Sequence, residues 1–196
     1  MPFLPVNAVH YLRYMIGVDK ANTQTTEAER ALLGRVAPKC KVIVELGVFE
    51  GVSSRVLRTA MDEDAELYCI DPFPKGRLRF SVQRSISMRE IAKCRNGEVH
   101  MLRYHSYEAV PNWTRDIDLL YMDGDHSFEG SCRDFSQWTQ FVRSGGLILI
   151  HTSRSSPNKF VPDTCGPLRL VNEVVTQDIG FRIDGYIDSM AIVEKL

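Results

Sequence analysis

Short apolar runs recur at Val42–Leu46, Glu66–Ile70, 99–102, Ile117–Met122 and 147–150, each bounded by glycine, proline, asparagine or aspartate. Runs of this length, rich in valine, isoleucine and leucine, predict strands buried on both faces. Between them apolar positions fall three and four apart, the helical period. Helices are expected from the Thr26-x-x-Glu29 capping box to about residue 36, at about 52–60, at about 128–142 with Phe135, Trp138, Phe141 and Val142 inward, and at about 167–177 with Pro167 in the first turn. Ser144-Gly145-Gly146 should stop the third of these before the fifth strand. Two last strands, around 181–183 and 189–193, flank Gly185 as a hairpin. Strand–helix alternation through five repeats predicts an α/β, doubly wound, mostly parallel seven-stranded sheet, covered by helices on both faces and closed by the antiparallel hairpin. Right-handed crossovers bring the strands' carboxyl ends to one edge, where ligands of such sheets bind beside strand one.

Two parts lie outside this rhythm. Residues 1–24 read as an N-terminal helical extension to a domain of residues 25–196. Asn7 can cap a helix whose apolar stripe is Ala8, Tyr11, Leu12, Met15 and Ile16, with Gly17 ending it. That helix is read as packing on the domain; a lid or a homo-oligomer contact is the alternative. Residues 153–165 contain Pro157 and Pro162 and predict an irregular loop.

Composition narrows the class. A 196-residue chain with 44% hydrophobic and 25% charged residues suits one globular domain with a sizeable core. The net charge of -1 offers no bulk attraction to nucleic acid or an anionic membrane. The five cysteines (Cys40, Cys69, Cys94, Cys132, Cys165) form no C-x-x-C pair, which argues against zinc and fits a reducing, cytoplasmic setting. No apolar run is long enough to span a bilayer, and no basic segment precedes an apolar core at the start, so no signal peptide is expected. Seven basic residues in 75–95 face one acid, Glu90, and read as a solvated helix face, with a local anion site as the minority reading.

The candidate chemistry sits at the strand ends. Strand one runs into Glu45-Leu46-Gly47-Val48-Phe49-Glu50-Gly51, acid-x-Gly-x-x-x-Gly. This has one glycine fewer than the Gly-x-Gly-x-x-Gly turn that admits a pyrophosphate, and suits a nucleoside-like ligand without one. Asp71 ends strand two, where a carboxylate accepts both hydroxyls of a ribose; alone it would only cap the turn before Pro72. His105-Ser106 follow strand three, Asp123-Gly-Asp-His126 strand four and His151-Thr152 strand five. Glu45, Asp71, Ser106, Asp123 and His151 are therefore expected in one crevice. His10 and His100 are expected off that edge, at the surface.

These residues give the chain its resemblance to class I S-adenosylmethionine-dependent methyltransferases, carried by Val42–Gly51, Asp71, Asp118–Asp123 and the run from Arg143 to Ile150. More narrowly, Tyr121-Met-Asp-Gly-Asp-His-Ser-Phe-Glu-Gly130, with Asp134, Trp138, His151 and 166–169, resembles the D-G-D-H-S-Y-E branch of small-molecule O-methyltransferases, related to macrocin O-methyltransferases and cephalosporin-hydroxylase-like proteins. The resemblance implies a Rossmann-like methyltransferase fold. It implies that the turn from Glu45 through Gly51, with Leu46, Gly47, Phe49 and Ser53, holds the methionine part of S-adenosylmethionine. Asp71 would take the ribose, Pro72 or Phe73 would lie beside adenine, His105 and Ser106 near its amine, and Asp123 below the sulfonium. His126 would lie near a small-molecule acceptor, where an imidazole can serve as the base or only shape the turn before the next helix, and His151 is the second candidate base. Relatives read His-Asp after strand five, where the Asp helps hold a divalent metal. Thr152 stands here instead, which leaves Asp123, with Asp125 nearby, as candidate ligand and argues against magnesium dependence. A non-catalytic cofactor-binding module and a nucleic-acid methyltransferase are the competing readings.

Overall fold

The computed structural model describes residues 8–76 and 80–196, so Asn7, Arg77 and Arg79 lie outside the described residues. The elements are α1 (Ala8–Met15), α2 (Glu27–Val36), β1 (Val42–Leu46), α3 (Val52–Ala60), β2 (Glu66–Ile70), α4 (Val82–Ile91), β3 (Glu98–Leu102), α5 (Ser106–Ala109), β4 (Ile117–Met122), α6 (Phe128–Trp138), β5 (Val142–Ile150), α7 (Gly166–Glu173), β6 (Phe181–Ile187) and β7 (Met190–Lys195). Seven strands form one sheet in the order β3-β2-β1-β4-β5-β7-β6. The first five pair in parallel, and β7 pairs antiparallel with β5 and β6. The order reverses direction at β1, between β2 and β4, so the crevice opens at the carboxyl ends of these three strands.

The central strands β1 and β4 are buried on both faces, which is why they read as near-continuous apolar runs. One core packs Val44, Leu46, Leu120, Phe135, Trp138 and Ile150 under α6 and α7. The other packs Leu33, Ile43, Leu57, Leu67, Phe73 and Tyr121 under α2 and α3. Cys69 is fully buried in this second core, a small apolar side chain as expected.

Several boundaries differ from expectation for local reasons. The helix after β4 ends at Trp138 and tightens through a 3₁₀ turn over Thr139–Phe141. Ser144-Gly145-Gly146 therefore stops no helix; it lies within β5, whose register on β4 shifts between Ile117 and Leu119. The closing hairpin turns at Asp188 and Ser189, not at Gly185, which sits inside β6 at its own register shift. In α1 the expected stripe is half wrong: Leu12 and Ile16 are 63% and 75% exposed, and Tyr14 is buried. The tyrosines turn inward because their hydroxyls find partners on α4, Tyr14 with Glu90 at 2.7 Å and Tyr11 with Ser85 at 3.0 Å. His10 is not a surface residue: its ring bridges Asp19 and Glu50.

Candidate functional site

The loops after β1, β2, β3 and β4 enclose a cavity of about 670 Å³, within the range of small-molecule and cofactor sites. Leu46, Gly47, Phe49, Asp71, Pro72, His105, Ser106, Asp123 and His126 line it, as the sequence reading required. Asp71 fastens the crevice from the β2 side. One of its oxygens accepts the backbone N–H groups of Val48 (2.9 Å) and Phe49 (3.1 Å); the other accepts that of Phe73 (2.7 Å). The turn-capping and ligand-facing roles of Asp71 are thus compatible. The carboxylate ties the β1 and β2 loops together and still borders the cavity.

The glycines of the β1 turn serve the protein's own packing. Gly47 adopts φ +86, and a Cβ there would overlap the Asp123 carbonyl and come within 2.8 Å of the Gly124 Cα. This is what lets the β1 and β4 loops touch behind the cavity. Gly51, at φ +76, opens α3; a Cβ there would meet Ser87 of α4 at 2.8 Å, and Gly51 does not line the cavity.

Besides Gly51, four expected ligand or catalytic residues lie elsewhere. Glu45 is fully buried, and its two oxygens accept the hydroxyls of Ser53 and Ser54 at the start of α3. Side chains alternate along a strand, so with Leu46 facing the cavity Glu45 must face away. Burial pushes its carboxyl up to about 7 against the opposing pull of the two serines. Ser53 is committed to Glu45 and borders only a smaller pocket. Phe73 is buried in the core and does not line the cavity, leaving Pro72 there. His151 is fully buried beneath Asp123, outside both pockets.

Asp123 is the centre of the charged part of the site. Its Oδ2 accepts the Tyr121 hydroxyl at 3.0 Å; its Oδ1 faces His151 Nδ1 at 2.6 Å and His126 Nε2 at 3.4 Å. Burial opposes its ionisation, but the two imidazoles hold the carboxyl far below the usual range. Burial likewise lowers His126, yet Asp123 and Cys165 prevail and push it up to about 9. His126 is therefore an imidazolium at neutral pH. Behind Asp123, His151 Nε2 meets Glu29 at 3.3 Å and the Lys159 amine at 2.6 Å. A nitrogen–nitrogen contact that short needs a lone pair on one partner, so His151 and Lys159 share a proton rather than each carrying one. Burial lowers Lys159; burial also lowers His151, but Asp123 and Glu29 raise it beyond that.

Glu29 was legible only as the acid of a capping box. It caps α2 through the Thr26 N–H at 2.8 Å, and it also accepts the Ser189 N–H (2.9 Å) and hydroxyl (2.6 Å). Burial works against its ionisation, but these donors and His151 bring it down to about 2. The smaller pocket, about 40 Å³, shares Phe49, Asp123 and His126 with the larger cavity and is walled by Asn22, Thr23, Gln24 and Thr25. Glu50, fully buried, holds that segment by accepting the Asn22 backbone and side-chain N–H groups. Sequence reasoning missed this wall because residues 20–25 carry no periodic pattern. It also missed Phe80, Gln83, Tyr107 and Arg133, which line the larger cavity.

Asp123, His126 and His151 can bring one ligand atom each within 4.8 Å of one another. The set supplies a single carboxylate, and both nitrogens of His151 are already engaged. It does not fit magnesium, which wants a shell of oxygens.

A doubly wound sheet with a cofactor-sized cavity at its switch point, a carboxylate at the second strand's tip and an Asp–His pair at the fourth defines a Rossmann-like α/β protein with a small-molecule cavity. The chain belongs to the methyltransferase domain family, which it matches over residues 44–153, more than half its length. It is 29% identical over 122 residues to an uncharacterized protein, R132, of Acanthamoeba polyphaga mimivirus; the match covers 54% of this chain and 48% of that one. The chain thus spans about half the length of that relative. Its fold is similar to that of cofactor-bound Rv0187 from MTB (TM-score 0.69, 13% identity, 98% of this chain and 94% of that one). It is also similar to the O-methyltransferase TomG from Streptomyces achromogenes, involved in tomaymycin synthesis and solved in complex with SAM (TM-score 0.64, 13% identity, 95% and 88% covered). Among the described residues, no helix is long and apolar enough to cross a membrane.

Proposed function

We propose that this protein is an S-adenosylmethionine-dependent methyltransferase of the D-G-D-H-S-Y-E branch, acting on a hydroxyl of a small molecule such as a sugar or natural product. One observation carries the reading: Asp123 and His126 line both the large cavity and the small pocket walled by Asn22–Thr25. The small pocket, about 40 Å³, has room for the reacting end of an acceptor only, and that end and the donor's methyl group can meet across this pair. The cofactor brings an electrophilic methyl group on a sulfonium, with a neutral thioether as leaving group. Leu46, Gly47, Asp71, Pro72, His105, Ser106 and Asp123 are the residues that would hold it. The known case of TomG, an O-methyltransferase of tomaymycin synthesis, accords with a small-molecule acceptor.

The protein's task is alignment and proton removal. His126 takes the hydroxyl proton only when neutral, and Asp123 holds its pKa up to about 9. Because kcat/KM reports the free enzyme's groups, it should rise with pH until about 9. His151, buried behind Asp123, positions that carboxylate and takes no proton from the acceptor.

The test pairs calorimetry of S-adenosylhomocysteine binding with methyl transfer to a panel of hydroxylated acceptors. His126→Ala should keep cofactor-product affinity within about threefold and lose about 10²–10⁴-fold in transfer. Full activity would remove His126 as the base. Cofactor binding by the wild type with no transfer to any acceptor, with or without magnesium, would favour the non-catalytic module.

A further inference from the structure

Helix α1 keeps an apolar face that the fold does not use. Val9, Leu12 and Ile16 recur three and four residues apart, and Val18 follows just past the Gly17 turn. All four are more than half exposed. The other side of the helix is engaged: Tyr11 and Tyr14 bond α4, and His10 bonds Asp19 and Glu50. These bonds fix α1 with its stripe turned outward, which leaves four large apolar side chains contiguous in water.

The charge around the stripe is one-sided. Arg13 stands beside it on α1, Lys20 just beyond it, and Arg89 and Lys93 on the neighbouring α4; all four are exposed. The acids among them are shielded. Asp19 accepts from Arg13 at 2.9 Å and meets His10, while Glu50 and Glu90, the latter bonded by Lys93, are buried. The net charge of -1 over the whole chain hides this local excess of cations. A second copy docked here about a two-fold axis would set the same cations against one another. An anionic lipid surface instead offers hydrocarbon to the stripe and phosphate to the cations.

We infer that the α1–α4 face docks this protein on an anionic lipid surface. Val9, Leu12, Ile16 and Val18 enter the acyl boundary, and Arg13, Lys20, Arg89 and Lys93 meet the phosphates. With eight residues, α1 lies in the plane of the membrane and does not cross it. Phe80 ties the face to the site: its ring meets Tyr11 edge-on at 5.5 Å, and it lines the large cavity. Docking therefore brings one wall of the cavity close to the headgroups. The inference stands apart from the methyltransferase reading.

The experiment sediments the full chain with vesicles of phosphatidylcholine alone and with vesicles that also hold about 30% phosphatidylglycerol. The wild type should bind the anionic vesicles at least about tenfold more tightly than the neutral ones, and rising salt should release it. Lys20→Gln and Arg89→Gln should each weaken binding about fivefold. Leu12→Ser combined with Ile16→Ser should abolish binding and leave the urea midpoint unchanged, because exposed side chains contribute little to the fold. No binding of the wild type to anionic vesicles would overturn the inference. So would binding that the charge and stripe variants all keep, since the protein would then dock by another surface. A wild-type dimer that the stripe variant dissolves, without vesicle binding, would assign the face to a second copy and overturn it too. The vesicle comparison and the charge variants leave the stripe intact, so they decide even if the stripe variant fails to fold.

Discussion

Glu45 offers a direct measurement of what the buried half of the site costs. Its carboxyl lies at about 7, raised from 4.5 chiefly by complete burial. The folded protein thus binds this proton more tightly than the unfolded chain does. Between pH 4.5 and 7 the folded state holds more protons, and stability falls as pH rises. The contribution is fully present below about 4.5 and gone above about 7. At about 1.4 kcal/mol per pH unit, this interval amounts to about 3 kcal/mol from one residue. Glu45→Gln cannot ionise and removes that slope. It also turns an NH₂ toward Ser53 or Ser54, an exchange that costs about 1 kcal/mol where the acid is neutral. The variant should therefore be about 1 kcal/mol less stable than the wild type at about pH 3.5 and about 2 kcal/mol more stable at about pH 8.5, with the curves crossing near pH 5. Urea unfolding at several pH values, with unchanged m-values as the check on two-state behaviour, gives these differences directly. Parallel pH profiles would refute the argument, because they would mean that Glu45 keeps an ordinary pKa in the fold.

Other predictions follow from the same geometry. Asp71→Ala removes the acceptor of three backbone N–H groups and should weaken S-adenosylhomocysteine binding by at least about tenfold in calorimetry, with faster amide exchange at Val48 and Phe49. Unchanged affinity would remove Asp71 from the cofactor site. Glu29→Ala leaves His151 and the Ser189 N–H without their buried partner and should cost about 3–5 kcal/mol in urea unfolding; a loss below about 1 kcal/mol would mean that the network is slack. Gly47→Ala forces a side chain into a left-handed turn and into the Asp123 carbonyl, costing about 2–5 kcal/mol and disturbing the cavity wall. A stable, cofactor-binding Gly47→Ala protein would show that the β1 and β4 loops can separate.

The strands were legible because burial on both faces leaves an unbroken apolar run, and little else in a globular chain does. The residues at their tips were legible for the same reason: Asp71, Ser106 and Asp123 each follow such a run and do reach the cavity. Glu45 and His151 share that sequence logic but not the direction. A strand shows which residues stand at its end and not, without its neighbours, which face each one takes. Asp134 was visible as part of a motif, but nothing local marks a helix residue as turned toward a distant loop, here to accept the Ser106 hydroxyl. The N-terminal segment was legible only as a helix. Its contribution to the small pocket depends on Asn22 meeting Glu50, a contact between residues 28 positions apart.

The buried ion set also bears on the missing carboxylate after β5. A divalent cation beside Asp123 would keep that carboxylate ionised and fixed in direction. His151 already does both from below, at 2.6 Å, and is itself held by Glu29 and Lys159. Lys159 comes from the irregular 153–165 loop and also bonds the Gln24 carbonyl at 2.9 Å, beside the small pocket. One amine thus links the loop, the N-terminal wall and the support of Asp123. Thr152 fits this arrangement: its hydroxyl turns back to the His151 carbonyl at 2.8 Å and adds no charge. A second carboxylate there would add a further negative charge beside Asp123 and Glu29, two anions that His151 and Lys159 serve with one shared proton between their facing nitrogens. Lys159→Met separates the two accounts. If Lys159 and His151 support Asp123, cofactor-product affinity should fall and added magnesium should not restore it; recovery with magnesium would show that a cation, and not the lysine, is what the site requires.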